Sequence, residues 1–312
     1  MNLDMSVVFI NLLELFLLIG VGALCGRARI FPEETPKVFS ILLTRITLPC
    51  TLFVSLAGKS YAPEFVLDSI VMIAIGLVMF TGLLLLFWFL AGMMKIPEGT
   101  RGIWSFCATF SNSGFMGYPI ILQLLGEEAL ALAMMLAIAF NLTIYTLGAL
   151  AICRDAGGSA GKLDLRGILV SNINIALLLG VVVYFARISV PEAVLVPVRY
   201  LGNITTPLSM LVVGLGLSGG NVRSLLKEKK ILTGALMRLL ICPLLVWGVL
   251  SPLPLRNPLT LPVLVITQAM PAPGTASVLT ELYGGNKEFA SKFILLTNIL
   301  CLLTIPGICL LL

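Results

Sequence analysis

The fold is decided by residues 111–119, which read Ser-Asn-Ser-Gly-Phe-Met-Gly-Tyr-Pro. They lie inside an apolar run from about residue 103 to 125, where a membrane-spanning helix is expected. A proline lacks a backbone N–H and clashes with the preceding turn, and it pushes the residue before it away from helical angles. Irregular backbone survives at membrane depth only where protein buries it or a watery cavity borders it. The stretch therefore predicts a discontinuous helix at a binding site.

A second interruption is predicted in residues 268–275, which read Gln-Ala-Met-Pro-Ala-Pro-Gly-Thr within an apolar run from 259 to 283. Two interrupted membrane segments in corresponding halves of a chain are typical of the substrate site of a secondary transporter. Either break alone could be a kink, because proline and glycine are frequent in membrane helices. The matching positions of the two breaks favour the binding-site interpretation.

The composition indicates a polytopic membrane protein. Of the 312 residues, 59% are apolar and only 11% are charged, whereas a soluble domain carries about 25% charge. The net charge of +5 comes mainly from loops, so we expect no nucleic-acid partner. The chain has no histidine, which removes His-based metal sites, and its seven cysteines form no C-x-x-C pair. We therefore expect buried core cysteines and no metal.

About ten apolar segments follow one another, each close to the roughly 20 residues that a bilayer requires. The predicted fold is an all-α polytopic membrane protein of ten transmembrane helices in two halves. The halves are a first five-helix repeat at 1–153 and a second, inverted five-helix repeat at 167–312. A short cytoplasmic linker at 154–166 joins them. The predicted spans are 7–24, 38–57, 65–93, 103–125, 129–152, 167–186, 194–217, 231–250, 259–283 and 289–312.

The two halves align when the chain is shifted on itself by 158 positions, which places Pro49 on Pro207. The same shift places residues 113–115 on residues 271–273, so the two breaks coincide. An odd number of spans per repeat makes the second copy enter the membrane upside down. Inverted repeats of this kind hold their sites near the midplane, at the repeat interface. We expect the site where the broken fourth and ninth helices cross.

Basic residues predict the orientation. Lysine and arginine are concentrated in the loops after odd-numbered spans, which places those loops in the cytoplasm by the positive-inside rule. Both termini then lie outside the cytoplasm. The expected location is the cell inner (plasma) membrane, as a multi-pass protein whose main partner is the lipid bilayer.

The two breaks predict an anion site without basic side chains. The first amides of a helix have no intrahelical acceptor, and each amino-terminal end carries about half a positive charge. Two such ends, beginning near Pro119 and near Pro273, offer about one unit of charge, which fits a monoanion. The candidate substrate-binding residues are Ser111, Asn112, Ser113, Gly114, Tyr118, Pro119, Pro271, Pro273, Gly274 and Thr275.

Glu14 is the candidate coupling residue, because it lies about seven residues into the first span, where a carboxylate is costly. It could bind a proton or a cation, or it could stay protonated and pair helices. No cofactor is expected, and coupling to H+ or to Na+ stays open.

Other polar residues in the spans have two interpretations each. Arg45, Arg238 and Lys292 lie near cytoplasmic ends, where snorkelling to the interface is expected; otherwise Arg45 or Arg238 would attract an anion entering from inside. Asn141 and Asn298 fall mid-span and could reach the breaks or bridge helices.

On residues 112–119 (Asn-Ser-Gly-Phe-Met-Gly-Tyr-Pro), residues 269–272 (Ala-Met-Pro-Ala) and the five-plus-five layout, the chain resembles prokaryotic members of the auxin efflux carrier family. That family belongs to the bile/arsenite/riboflavin transporter superfamily. The resemblance implies a scaffold of helices 1, 2, 6 and 7 that forms a homodimer. It also implies a transport domain of helices 3–5 and 8–10 that moves like an elevator. Carboxylates such as auxin, malonate or malate are the implied substrates, and Asn112 matches the family's carboxylate-contacting asparagine.

The leading hypothesis is a secondary transporter of a small organic anion. The alternative is an anion channel or a non-transporting membrane sensor. An enzyme is not expected and no catalytic residue is assigned, because the spans contain neither paired aspartates nor a serine–lysine pair at a plausible depth.

Overall fold

The computed structural model describes residues 5–155, 171–217 and 222–312, and every regular element in those ranges is helical. The predicted linker at 154–166 lies outside the described residues except for its first two. The first half contains α1 (Met5–Arg27), α2 (Thr35–Leu42), α3 (Leu48–Ala57), α4 (Pro63–Met93), α5 (Arg101–Thr109), α6 (Tyr118–Thr143) and α7 (Ala149–Asp155). The second half contains α8 (Asn172–Phe185), α9 (Glu192–Asn203), α10 (Thr205–Leu217), α11 (Val222–Lys227), α12 (Lys229–Leu236), α13 (Cys242–Leu250), α14 (Thr260–Ala269), α15 (Thr275–Leu282) and α16 (Lys287–Cys309).

Single turns of π-helix connect several of these helices. They join α2 to α3, lead into α6, join α6 to α7 and join α12 to α13, at Leu43–Thr47, Ser113–Gly117, Ile144–Gly148 and Met237–Ile241. A π-turn widens a helix by one residue per turn and is frequent at functional sites. Two of these turns carry residues that are important below.

Seven helical runs in the described ranges are long and apolar enough to cross a membrane, and α8 and α14 are shorter apolar helices. The longest run, Arg101–Arg154, has 54 residues. The run folds back on itself at Gly126 (φ 81°). As a result, α5 at its start packs against α7 at its end. An all-helical chain with several candidate membrane helices is thus confirmed. The ten-helix inverted repeat, and its division into residues 1–153 and 167–312, stay predictions.

Two helix pairs join opposite halves of the chain: α1 packs along α10, and α3 packs along α8. In the first pair Gly22 and Gly214 bring the backbones together. A Cβ on Gly22 would lie 2.4 Å from the Leu211 carbonyl oxygen, and one on Gly214 would lie 2.1 Å from the Ile19 carbonyl oxygen. Small residues permit this close approach, which is a common basis of helix association in membranes.

The remaining long helices form the larger part of the core. In it α4 packs on α5 and α6, α14 packs on α6 and α13, and α12 packs on α16. Apart from Arg238, its largest fully buried side chains are aromatic, with Phe80 stacked on Phe110 at 6.0 Å between ring centroids. The indole nitrogen of Trp104 donates to the Lys230 carbonyl at 2.9 Å, which ties α5 to α12. These contacts hold the two interrupted segments, after α5 and after α14, side by side.

Candidate functional site

The first interruption lies between α5 and α6. Helix α5 ends at Thr109, Phe110 is extended (φ −93°, ψ 146°), and Asn112 is non-helical (φ −78°, ψ 62°). Helical geometry resumes at Ser113 with the π-turn. The α-helix itself begins at Tyr118, close to the expected restart at Pro119, but the unexpected π-turn precedes it. Pro119 lies in the first turn of α6, directly after the π-turn, where proline is tolerated.

The second interruption lies between α14 and α15. Helix α14 ends at Ala269, Met270 is extended (φ −71°, ψ 153°), and α15 begins at Thr275 after Gly274. Pro271 and Pro273 have no N–H group, so this non-helical stretch contains fewer donors that need an acceptor. This restart agrees with the position expected from the sequence.

The two interruptions touch each other. The Asn112 backbone N–H donates to the Pro271 carbonyl at 2.8 Å. Gly117 lies against Met270, whose Cγ would be 3.4 Å from a Cβ at that glycine. Residues far apart in sequence thus form one backbone crossing.

Asn112 also organises its own segment. Its side-chain Oδ1 accepts from the Phe115 N–H at 3.2 Å and so caps the new helix. Its carbonyl accepts from the amides of Met116 and Gly117 at 3.3 and 3.2 Å. The capping bond uses Oδ1 and leaves the two N–H donors of Nδ2 for other partners. One half of the amide therefore has a structural role, and only the other half is free to bind a ligand.

A cavity of about 740 Å³ opens beside the crossing. Eight of the ten candidate residues line it, whereas Pro119 and Pro271 do not; the eight are Ser111, Asn112, Ser113, Gly114, Tyr118, Pro273, Gly274 and Thr275. Asn141 and Asn298 line it as well. Most of the remaining lining is apolar or aromatic, and no charged side chain is among the described residues that line the cavity.

Three polar atoms of the lining are buried and have no hydrogen-bond partner among the described residues: Ser111 Oγ, Thr275 Oγ1 and Asn298 Oδ1. Because Asn298 Nδ2 donates to the Ile294 carbonyl at 2.9 Å, its oxygen is the unpartnered end of the amide. Buried polar atoms are nearly always hydrogen-bonded in native proteins, so these three atoms are suited to bond a molecule that enters the cavity. Two hydroxyl donors and one acceptor are thus available to a bound molecule.

Asn141 both lines the cavity and bridges helices, since its Nδ2 donates to Asn174 Oδ1 at 2.6 Å. The two interpretations offered for this residue are therefore compatible. The bond joins α6 to α8.

Arg238 is the residue that sequence reasoning placed wrongly. It lies on the π-turn between α12 and α13 and is fully buried, so it does not snorkel to the interface. Its guanidinium donates to carbonyls at the ends of both interrupted helices, α5 and α14. The chain carries no local signal for this position, because Arg238 meets its partners only through tertiary packing.

The other charged candidates lie away from the crossing. Glu14 is on an exposed face of α1, where its Oε2 accepts from Gln123 Nε2 at 3.0 Å. Arg45 is exposed, and Lys292 forms ion pairs with Glu228 and Glu288 at 2.6 and 2.7 Å. Glu14, Arg45 and Lys292 do not line the cavity. The coupling role of Glu14 stays a prediction.

Comparison with known proteins gives a consistent picture. The sequence profile of a family described as "Membrane transport protein" matches residues 7–309. An "Uncharacterized transporter" of Methanothermobacter thermautotrophicus is 26% identical over 95% of both chains. A "Putative malonate transporter" of Rhizobium meliloti is 25% identical over 95% of this chain and 93% of its own length. A transporter of Methanocaldococcus jannaschii is 28% identical over 69% of this chain and 70% of its own.

Proposed function

We propose that this chain, which belongs to the membrane transport protein family that includes the auxin efflux carriers, is a secondary transporter of a small organic anion. The substrate is a carboxylate, bound where the interrupted segments after α5 and α14 cross. The observation that carries the proposal is the cavity at that crossing, with its three buried and unpaired polar atoms.

The polar end of the cavity suits a carboxylate. The segments that restart at Ser113 and at Thr275 each begin beside it, and together their amino-terminal ends supply about one unit of positive charge. The hydroxyls of Ser111 and Thr275 and the Asn112 Nδ2 group add donors. Hydrogen bonds to a charged acceptor are about twice as strong as neutral ones. All of these groups line the same cavity.

The remainder of the cavity favours an apolar body on the substrate. Beyond the crossing the lining is formed by side chains such as Phe115, Phe140, Tyr145 and Val212, and the described lining residues offer no cation for a second carboxylate. A monocarboxylate with an apolar or aromatic body fits this distribution better than a dicarboxylate does. The unpaired Asn298 Oδ1 further favours a substrate with a hydroxyl or N–H donor. A dicarboxylate such as malonate, suggested by the Rhizobium meliloti relative, is the competing substrate.

The helix packing supports an elevator mechanism. One helix run, formed by α2 and α3, lines two cavities. Ser40, Thr44 and Leu48 face the 740 Å³ cavity, and Thr51 and later residues face a second cavity of about 460 Å³. The two cavities thus follow one another along the same helix. The pairs α1–α10 and α3–α8 form the proposed static scaffold. The helices that carry the breaks would slide along it and carry the site from one side to the other.

The orientation and assembly follow the sequence. In this proposal the protein lies in the inner membrane with both termini outside the cytoplasm, and the larger cavity opens to the cytoplasm. It forms a homodimer through the scaffold helices. Crosslinking in native membranes and accessibility labelling of introduced cysteines would test both points.

The experiment that tests the function is thermal stabilisation of purified protein, followed by uptake into proteoliposomes. A ligand that binds only the folded state raises the melting temperature. We expect phenylacetate and similar monocarboxylates to give a larger shift than malonate or malate. Uptake against a concentration gradient would identify a transporter; downhill flux alone would indicate a channel, and binding without flux a sensor. The absence of a shift with every carboxylate would refute the anion site.

A further inference from the structure

We propose that Arg238 is a resident cation at the crossing, in the place that a metal cation such as Na+ would occupy, so that the anion site works without sodium. This inference deepens the proposed transport function and rests on it. It also assigns Arg238 as a positioning residue, because the guanidinium is not among the groups that line the cavity.

The oxygen atoms around Arg238 resemble the ligands of a dehydrated cation. Its N–H groups donate to five oxygens, four of them backbone carbonyls and one a side-chain amide. They are the carbonyls of Met270 (3.0 Å), Ala108 (3.2 Å), Thr109 (2.6 Å) and Gln268 (2.7 Å), and Gln268 Oε1 (2.6 Å). In transporters with broken helices, carbonyls of this type at half-helix ends coordinate the coupling Na+. Here the guanidinium already occupies them.

The charge balance at the crossing explains why this matters for an anion. The carboxyl-terminal ends of α5 and α14 together carry about one unit of negative charge, and the two amino-terminal ends carry about one unit of positive charge. Without a cation these ends largely cancel. With Arg238 the negative ends are neutralised, which leaves the positive ends for one bound anion.

The acceptors of Arg238 are all neutral. Within the described ranges its partners are carbonyls, one amide oxygen and the Cys242 thiol at 3.6 Å, and none of them is a carboxylate. A buried cation without a counter-charge is costly unless other groups compensate it. The negative helix ends supply part of that compensation and a bound anion at the amino-terminal ends supplies the remainder, so the buried charge and the substrate stabilise each other.

The experiment measures the melting-temperature shift caused by choline phenylacetate and choline malonate in choline chloride and in sodium chloride. For the wild-type protein we expect the same shift in both salts. A shift that requires sodium would overturn the resident-cation proposal but would keep the anion site. No shift by either acid in either salt would overturn the proposed function and the inference together.

Two variants test the residue itself. In R238A the anion affinity in choline chloride should fall more than about tenfold, because the negative helix ends are no longer neutralised. Millimolar guanidinium chloride or sodium chloride should restore part of it, since either cation can enter the vacated site. R238K keeps the charge but loses the forked geometry, so it should bind the anion more weakly and still without sodium.

Arg101 provides the matched control. Its guanidinium donates to the Trp88 carbonyl at 2.9 and 3.3 Å and lies 4.8 Å from the Trp88 ring centroid, away from both breaks. R101A should leave the anion affinity and its salt independence unchanged. If R238A does not fold, the wild-type and R238K salt comparisons still decide the matter. Wild-type affinity in R238A, or a loss that neither cation restores, would refute the proposal.

Discussion

Each interrupted segment has two helix ends that lie a few residues apart and have different partners. One is the carboxyl-terminal end of α5 or α14, and the other is the amino-terminal end of the helix that follows. The carbonyls at the first pair of ends receive the five hydrogen bonds of Arg238. The second pair borders a cavity in which the hydroxyls of Ser111 and Thr275 have no partner among the described residues. Broken membrane helices expose both kinds of end. A protein that permanently neutralises one kind leaves the other available for its ligand.

The difference also separates a rigid part of the crossing from an open one. A buried guanidinium with every donor used ties α5, α14 and the π-turn of residues 237–241 into one unit. The Asn112 N–H bond to the Pro271 carbonyl joins the same two segments. On the cavity side, Ser111 and Thr275 donate to no other described residue, so a ligand can bond their hydroxyls without breaking a bond within the described chain. The comparison is tested most directly by variants that affect either the rigid part around Arg238 or the cavity, and that are measured for both stability and binding.

The largest effect is expected at Asn112, which belongs to both sides. Asn112→Ala removes the cap of Ser113–Gly117, costing about 1 kcal/mol, and also removes a donor to the anion. Asn112→Asp keeps an acceptor for the Phe115 N–H but places a negative charge at the carboxylate site. We expect both variants to lose anion binding by tenfold or more, with the melting temperature lowered chiefly in Asn112→Ala. Calorimetry of ligand binding and thermal unfolding measure the two effects; binding at wild-type affinity in Asn112→Asp would contradict the site.

A moderate effect is expected at the unpaired hydroxyls. Because Ser111 Oγ and Thr275 Oγ1 have no partner in the described chain, Ser111→Ala and Thr275→Val should leave the unliganded protein as stable as before or slightly more stable. Each should weaken anion binding about fivefold to tenfold, corresponding to a hydrogen bond worth about 1–1.5 kcal/mol.

Thr280 is the control on the same helix as Thr275. Its Oγ1 donates to the Ala276 carbonyl at 2.6 Å, and it does not line the cavity. Thr280→Val should lower the melting temperature slightly and leave the anion affinity unchanged. If Thr275→Val and Thr280→Val behaved alike in both measurements, the unpaired hydroxyl at 275 would have no special role.

The smallest effect is expected at Glu14. Its exposed position outside the cavity predicts an unchanged anion affinity in Glu14→Gln. The glutamine can still accept from Gln123 Nε2, so the stability should change by less than about 1 kcal/mol. If Glu14 carries the coupling proton, uptake into proteoliposomes should lose part of its pH dependence in this variant. A pH profile identical to that of the wild type would mean that Glu14 has only a structural role, in the contact between α1 and α6.

The two non-helical stretches could be located in the sequence because their causes are local. Proline and glycine act on the backbone of their own and adjacent residues, so residues 111–119 and 268–275 could be recognised without any partner. The π-turn ahead of the first restart was not predicted, because the Asn112 cap allows helical geometry from Ser113, before the proline. The sequence also did not indicate that the Asn112 side chain uses its oxygen as a helix cap and leaves its nitrogen for a ligand. That division depends on the same local helix geometry.

The chain alone therefore determined an all-helical membrane protein with two interrupted apolar segments and a set of polar groups at the breaks. Hydropathy, helix-breaking residues and the lack of histidine act through short-range chemistry and can be read directly. Only the tertiary structure decided that the Pro271 carbonyl accepts from Asn112, that Ser111, Thr275 and Asn298 share one cavity, and that Arg238 reaches both helix ends. Each of these contacts joins residues more than 20 positions apart, and their geometry depends on how whole helices pack.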